Sequence, residues 1–148
     1  MTMFKTHLVL ALLFITVSPS PGQTNQITKK PAASITGTYK YVLNTIEVLE
    51  MPDHKVRISF SGFWPNDRKK VETRNVGAFD EVVKLEGRTA TVKLQFGDDP
   101  CILKFAFQLG KVTVEKDDIG SCGFGFNVEA DGTYRKVSSD PPSLPPPQ

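Results

Sequence analysis

The sequence predicts an all-β chain: a small antiparallel up-and-down β-barrel of eight or nine short strands, with a two-sheet β-sandwich as the alternative. Three observations carry this. Apolar residues alternate at period two in several runs, as in Leu103, Phe105 and Phe107 or Ala90, Val92 and Leu94, and a strand sends successive side chains to opposite faces. Nowhere between residues 35 and 137 do apolar residues keep helical spacing long enough to nucleate a helix. Turn-forming residues punctuate the runs at short intervals. Closure is preferred because an open sheet of this size leaves edges that a closed meander removes. In addition, Gly37-Thr38-Tyr39 near the start is matched by Gly132-Thr133-Tyr134 near the end, as in two strands that meet at a seam.

Taken in order, Met1 to His7 carries Lys5 and no acid, Leu8 to Val17 is apolar apart from Thr16, and Ser18 to Gly22 is small and Pro-rich. That is the pattern of a secretory signal peptide over residues 1–22, with cleavage before Gln23. The apolar run, about ten residues, is too short for a helix across the roughly 30 Å of a bilayer core, so no membrane anchor is expected and the destination is secreted or periplasmic. Residues 23–34 read as a polar linker, 35–137 as the β-barrel domain, and 138–148 as a disordered, solvated Pro-rich tail in which fixed φ and missing amide donors exclude helix and central strand.

Within the domain, Gly37 to Leu43 alternates, Asn44 is a turn candidate, and Ile46 and Val48 begin a second strand. Met51-Pro52-Asp53-His54 is a turn, followed by Val56, Ile58 and Phe60 in alternation. Ser61 to Lys70 reads as a loop and Val71 to Ala78 as a longer irregular piece before the strand from Phe79 to Leu85. Glu86-Gly87 turns the chain into Ala90 to Phe96, and Gly97 to Pro100 turns it again. The last third reads as Leu103, Phe105 and Phe107 inward, a turn at Gly110, Val112 and Val114 returning, and a turn at Asp117 to Gly120. A strand with Phe124, Phe126 and Val128 inward follows, then a hairpin at Asp131-Gly132 and a final strand ending at Tyr134.

Charge and cysteine count exclude several classes. Removing the signal peptide takes away Lys5 and no acid, so the +2 of the whole chain becomes about +1, a balance that points to neither nucleic acid nor membrane adsorption. Cys101 and Cys122 are the two cysteines, and in an exported chain they are expected to pair. The loop of about 22 residues that they close is worth roughly 3 kcal/mol in the chain-entropy model. One histidine, His54, survives in the mature chain, beside Asp53. There is no Cys-x-x-Cys, no phosphate loop and no dinucleotide fingerprint. A nucleophilic triad would have to be forced. Asp98-Asp99 and Asp117-Asp118 would share a cation only if their turns met at one barrel end, and turn formation explains both pairs. No catalytic residue, metal or cofactor is assigned.

One stretch combines large aromatics with a basic cluster, and it supplies the candidate binding residues: Phe63, Trp64, Asn66, Arg68, Lys69 and Lys70. Trp and Arg dominate binding hot spots when a rigid scaffold presents them. The competing reading folds Phe63 and Trp64 back over the barrel end as a lid.

Cys122-Gly123-Phe124-Gly125-Phe126-Asn127-Val128-Glu129-Ala130-Asp131-Gly132-Thr133-Tyr134 resembles the ending of a group of small exported bacterial β-domains that finish in Cys-Gly-Phe-Gly-x-Asn-Val-x-Ala-x-Gly-x-Tyr, and Cys101-Ile102-Leu103-Lys104-Phe105 resembles their first half of the disulfide pair. The resemblance covers the last third and implies a secreted or periplasmic β-domain without a defined activity. Gly37-Thr38-Tyr39 is similar to the Gly-x-Trp that opens calycins such as lipocalins, with Tyr39 in the third place, and implies calycin-like barrel topology. Periplasmic lysozyme inhibitors are β-barrels of similar size, although the Ser-Gly-x-Arg-Tyr motif of one such family is absent here. The expectation is a monomeric, non-enzymatic binding module that contacts a protein or envelope polymer through loops at one barrel end. The alternatives are a carrier of a small apolar ligand inside the barrel and an inhibitor of a hydrolase such as lysozyme.

Overall fold

A computed structural model describes residues 33–67, 70–117 and 120–146, with the side chains of 66, 67 and 70–73 outside the description. The signal peptide, most of the linker, Arg68, Lys69 and Asp118 lie outside the described residues. Eight strands form among the described residues: β1 (Gly37–Tyr41), β2 (Asn44–Met51), β3 (Lys55–Asp67), β4 (Lys70–Glu86), β5 (Thr89–Gln95), β6 (Pro100–Gln108), β7 (Lys111–Lys116) and β8 (Gly132–Ser138). Each pairs antiparallel with the next, and β8 pairs with β1 to close an up-and-down barrel. The described residues contain no helix.

Alternation builds the interior as expected. Along β6, Cys101, Leu103, Phe105 and Phe107 are buried, while of the residues between them Lys104 is exposed and Ile102 and Ala106 are half-buried. Phe60, Phe79, Phe105 and Phe124 contact one another with ring centroids 5.2 to 6.4 Å apart. The barrel is thus packed with side chains, as an eight-strand interior allows.

β1 and β8 meet at the seam with the matched tripeptides out of register, Tyr39 facing Lys136 while Gly132 to Tyr134 pair with β7, and the two tripeptides fold alike. Gly37 (φ 144°) and Gly132 (φ 135°) each open a strand with a backbone that L side chains rarely adopt. Tyr39 donates its hydroxyl to the Ile35 carbonyl at 2.6 Å, and Tyr134 donates to the Ala130 carbonyl at 2.8 Å. Each phenol therefore satisfies its polar end on the chain four residues upstream while its ring fills the core. Burial pushes both phenols up, Tyr134 to about 12.

Four local expectations are corrected. The first turn falls at Val42–Leu43, and Asn44 starts β2. The stretches read as a loop (61–70) and as an irregular piece (71–78) are strand over 61–67 and 70–78, because the chain there pairs with itself. The strand expected around Phe124 to Val128 does not form. Residues 120–131 carry no strand, Phe126 is 75 % exposed at a turn, and β8 runs on to Ser138. The tail is described to Pro146 and has no regular structure, but Pro142 and Leu144 are half-buried and not fully solvated.

Candidate functional site

Pairing of β2 with β3 ends at Thr45↔Ser61. Pairing of β4 with β5 is limited to Leu85↔Ala90 and Glu86↔Thr89. The rungs from Gly62↔Gly77 to Asp67↔Lys70 therefore join β3 and β4 alone, as a two-stranded arm that extends roughly 20 Å beyond the last rung shared with β2. An isolated ribbon of two strands is marginal in water. This one is held at its base. Gly125 N–H donates to the Val76 carbonyl at 2.9 Å, and a Cβ at Gly77 would stand 2.7 Å from the Phe124 ring. Pro65, which has no amide hydrogen to offer a further strand, blunts the arm's edge.

The segment that steadies the arm also closes the barrel mouth. Cys101 at the start of β6 is joined to Cys122, with Cα atoms 4.9 Å apart. The following residue pair lets Phe124 enter the mouth, 5.2 Å from Phe60 and 6.4 Å from Phe79 between ring centroids. Asn44 Nδ2 donates to the Glu129 carbonyl at 2.7 Å and ties the same segment to the first hairpin. The turn at Phe126–Asn127 is closed by Val128 N–H donating to the Gly125 carbonyl at 3.0 Å, with Asn127 at φ 62°.

Between the arm, the first hairpin and this segment lies a cleft of about 280 Å³, lined among others by Tyr41, Val42, Leu43, Phe63, Trp64 and Asp131. Its apolar rim is open to water: Trp64 is 46 % exposed and Val42 78 %. Val42 also has φ 52°. A positive φ at the first central position of a two-residue hairpin turn is normally given to glycine, and a β-branched residue there is strained. Phe63 is half-buried, with the Arg74 guanidinium 5.4 Å from its ring centroid. Glu129 and Asp131 supply carboxylates beside the cleft.

Of the residues singled out in the sequence, Phe63 and Trp64 are thus brought to one cleft, with Trp64 presented and not folded away. Asn66 and Lys70 flank the arm's tip in β3 and β4, with side chains outside the description, and Arg68 and Lys69 lie outside the described residues. Sequence reasoning missed Tyr41, Val42 and Leu43. Two apolar residues at a turn are a usable signal, but placing the turn at Asn44 hid them inside a strand.

The other chemistry-bearing groups are dispersed. Asp53 and His54 occupy the exposed β2–β3 turn, at the end of the barrel opposite the arm. Asp98, Asp99 and Asp117 lie in connections at the arm's end, and among the described residues no three His, Cys, Asp or Glu side chains cluster as metal ligands would. At the opposite end a cleft of about 490 Å³ is bordered by Arg88 and Lys136. Arg88 donates to the carbonyls of Phe107 (2.9 Å) and Ala33 (3.1 Å), and Lys136 donates to that of Ser34 at 3.0 Å. Those cations tie down residues 33 and 34 and the end of β6. Comparison with known proteins finds no family model, no curated protein and no solved structure that matches the chain.

Proposed function

We propose that the protein is an exported, non-enzymatic interaction module that contacts a protein or envelope polymer with the arm-bearing end of the barrel. The observation that carries this reading is the exposed apolar rim of Tyr41, Val42, Leu43 and Trp64 on a cleft between rigid elements. Folding gains little by leaving a tryptophan nearly half exposed on a two-stranded ribbon, whereas a partner would bury it; buried Trp anchors dominate interface energetics. Export is supported by the cysteine pair at disulfide distance, which an oxidising compartment maintains. No described helix is long and apolar enough to cross a membrane.

The test incubates purified wild type and Trp64→Ala with envelope extract from the source cells and quantifies the bound material. Loss of one hot-spot residue weakens a complex by about 2 kcal/mol, roughly thirtyfold, so the partner retained by wild type should be nearly absent from the variant. Equal retention by the two proteins rules the rim out. A projecting arm also suits entry into a cleft, which is how an inhibitor of a hydrolase such as lysozyme would act. Inhibition of lysozyme by wild type and not by Trp64→Ala would single out that form of the reading.

A further inference from the structure

We propose that the outer face of β2, β3 and β4 is a binding site for an extended proline-rich segment, bordered here by the chain's own tail. The proposal is independent of the arm. Outward positions of a barrel normally face water, and those of β5 do: Thr89, Thr91, Lys93 and Gln95 are exposed. On β2 and β3 the outward residues Glu47, Leu49 and Ser59 are half-buried, and Arg57 is only 5 % exposed. The described chain that lies over this face is the tail.

Its path begins with a local turn. Ser138, the last residue of β8, accepts from the Asp140 N–H at 3.0 Å and donates its hydroxyl to the Asp140 carboxylate at 3.1 Å, which redirects the chain off the seam. Ser143 to Pro146 then border a cleft of about 750 Å³ whose floor includes Ser59, Ser61, Ala78, Asp80 and Val82. These floor residues sit on consecutive outward rungs, Ser61↔Ala78, Ser59↔Asp80 and Arg57↔Val82. Arg57 Nε and Nη2 both donate to the Asp80 carboxylate, which fixes the floor.

The chemistry of floor and tail agrees. A Pro-rich segment has no internal hydrogen bonds, so its carbonyls are left for outside donors, and the Ser59 and Ser61 hydroxyls are placed to supply them. Ala78 and Val82 provide the apolar surface over which Leu144 is half-buried. The tail borders the cleft without filling it, so few contacts hold it. Its short tether makes up the difference with an effective concentration on the order of millimolar. A second proline-rich segment in trans competes with that tether, and weakening the tail's hold should reveal the site.

The test measures fluorescence anisotropy of a labelled peptide spanning residues 139–148 against the full-length protein, its Leu144→Asp variant, and Leu144→Asp combined with Val82→Glu. Circular dichroism confirms that all three keep the strand spectrum. Leu144→Asp should bind the peptide at least roughly tenfold more tightly than wild type, because the tethered competitor is removed. The added Val82→Glu should abolish the gain, and a scrambled peptide should bind none of them. Equal binding by wild type and Leu144→Asp, whether strong or absent, overturns the proposal, as does tight binding that survives Val82→Glu.

Discussion

β6 and the upper part of β3 are both regular antiparallel strand, with opposite burial. In β6, Cys101, Leu103, Phe105 and Phe107 are all at 2 % exposure or less. In the arm, Trp64 of β3 remains 46 % exposed and Val76 of β4 61 % exposed, although they lie on regular antiparallel rungs. β6 has neighbours on both sides and a barrel interior under one face, whereas above Ser61 the third strand has only β4. Alternation therefore specifies a strand, and burial follows only where closure gives that strand an inside.

The largest effect should come from the body. Phe105→Ala removes a ring that touches Phe79 and Phe107 in the core, and such truncations cost about 3–5 kcal/mol. Val76→Ala on the arm should change stability by less than about 0.5 kcal/mol, as exposed positions do. Urea unfolding of both variants checks the contrast, which fails if their midpoints shift alike. Next comes the staple. Replacing Cys101 and Cys122 by Ala should cost roughly 3 kcal/mol and free the segment across the mouth. Hydrogen exchange should then quicken at the Gly125 amide, which bonds the Val76 carbonyl, before it quickens at Phe105. Simultaneous loss of protection at both would show that arm and body unfold as one unit.

This contrast also accounts for what the sequence disclosed. The turns at Pro52 to His54, Gly87, Gly97 to Asp99 and Gly110 were legible because Pro, Gly and Asp have few alternatives to turning a chain. The core strands were legible because one face of each is filled. The arm was taken for a loop: Phe63-Trp64-Pro65-Asn66-Asp67 has no apolar alternation, and its pairing partners lie across a hairpin tip that local pattern does not mark. In the other direction, Phe124 and Val128 share a two-residue rhythm because both turn toward the barrel from an irregular path, and Phe126 between them points to water. Gly125 beside Phe124 marks a place of close approach, since a Cβ there would meet Asn75 at 2.7 Å. At the candidate site, Trp64 could be found by residue type, but nothing in one sequence says that the turn before β2 will supply Val42.

A third prediction uses pH to separate the two regions. Tyr134 is fully buried and its phenol is pushed up to about 12, first by burial. A phenol whose folded value lies above the unfolded value near 10 contributes stability that is complete below about pH 10 and is lost as pH rises toward 12. A displacement of about two units corresponds to roughly 2–3 kcal/mol. Tyr134→Phe should therefore be less stable than wild type at neutral pH, where the bond to Ala130 is lost, and should lose less stability than wild type between pH 10 and 12. Acid acts on the outer face instead. The Arg57 guanidinium holds the Asp80 carboxyl below its usual value, so that pair's contribution is present above about pH 4 and fades below it. Asp80→Asn should flatten the acid limb of the stability profile and leave the alkaline limb unchanged.

The smallest effect is the most informative about the rim. Val42 sits at φ 52° with most of its side chain in water, and strain of that kind costs about 1–3 kcal/mol. Glycine adopts the same backbone freely but loses more freedom on folding, by roughly 0.5–1 kcal/mol. Val42→Gly should therefore leave the barrel slightly more stable, by about 0.5–1 kcal/mol, a small rise in thermal midpoint. A residue kept for folding would not improve the fold by leaving, so the same variant should also bind the partner more weakly in the assay used for Trp64→Ala. A rise in stability with unchanged binding would separate the strained turn from the contact surface and leave Trp64 and Leu43 as its apolar members. A fall in stability would mean that Val42 packs against the rim more strongly than its exposure indicates.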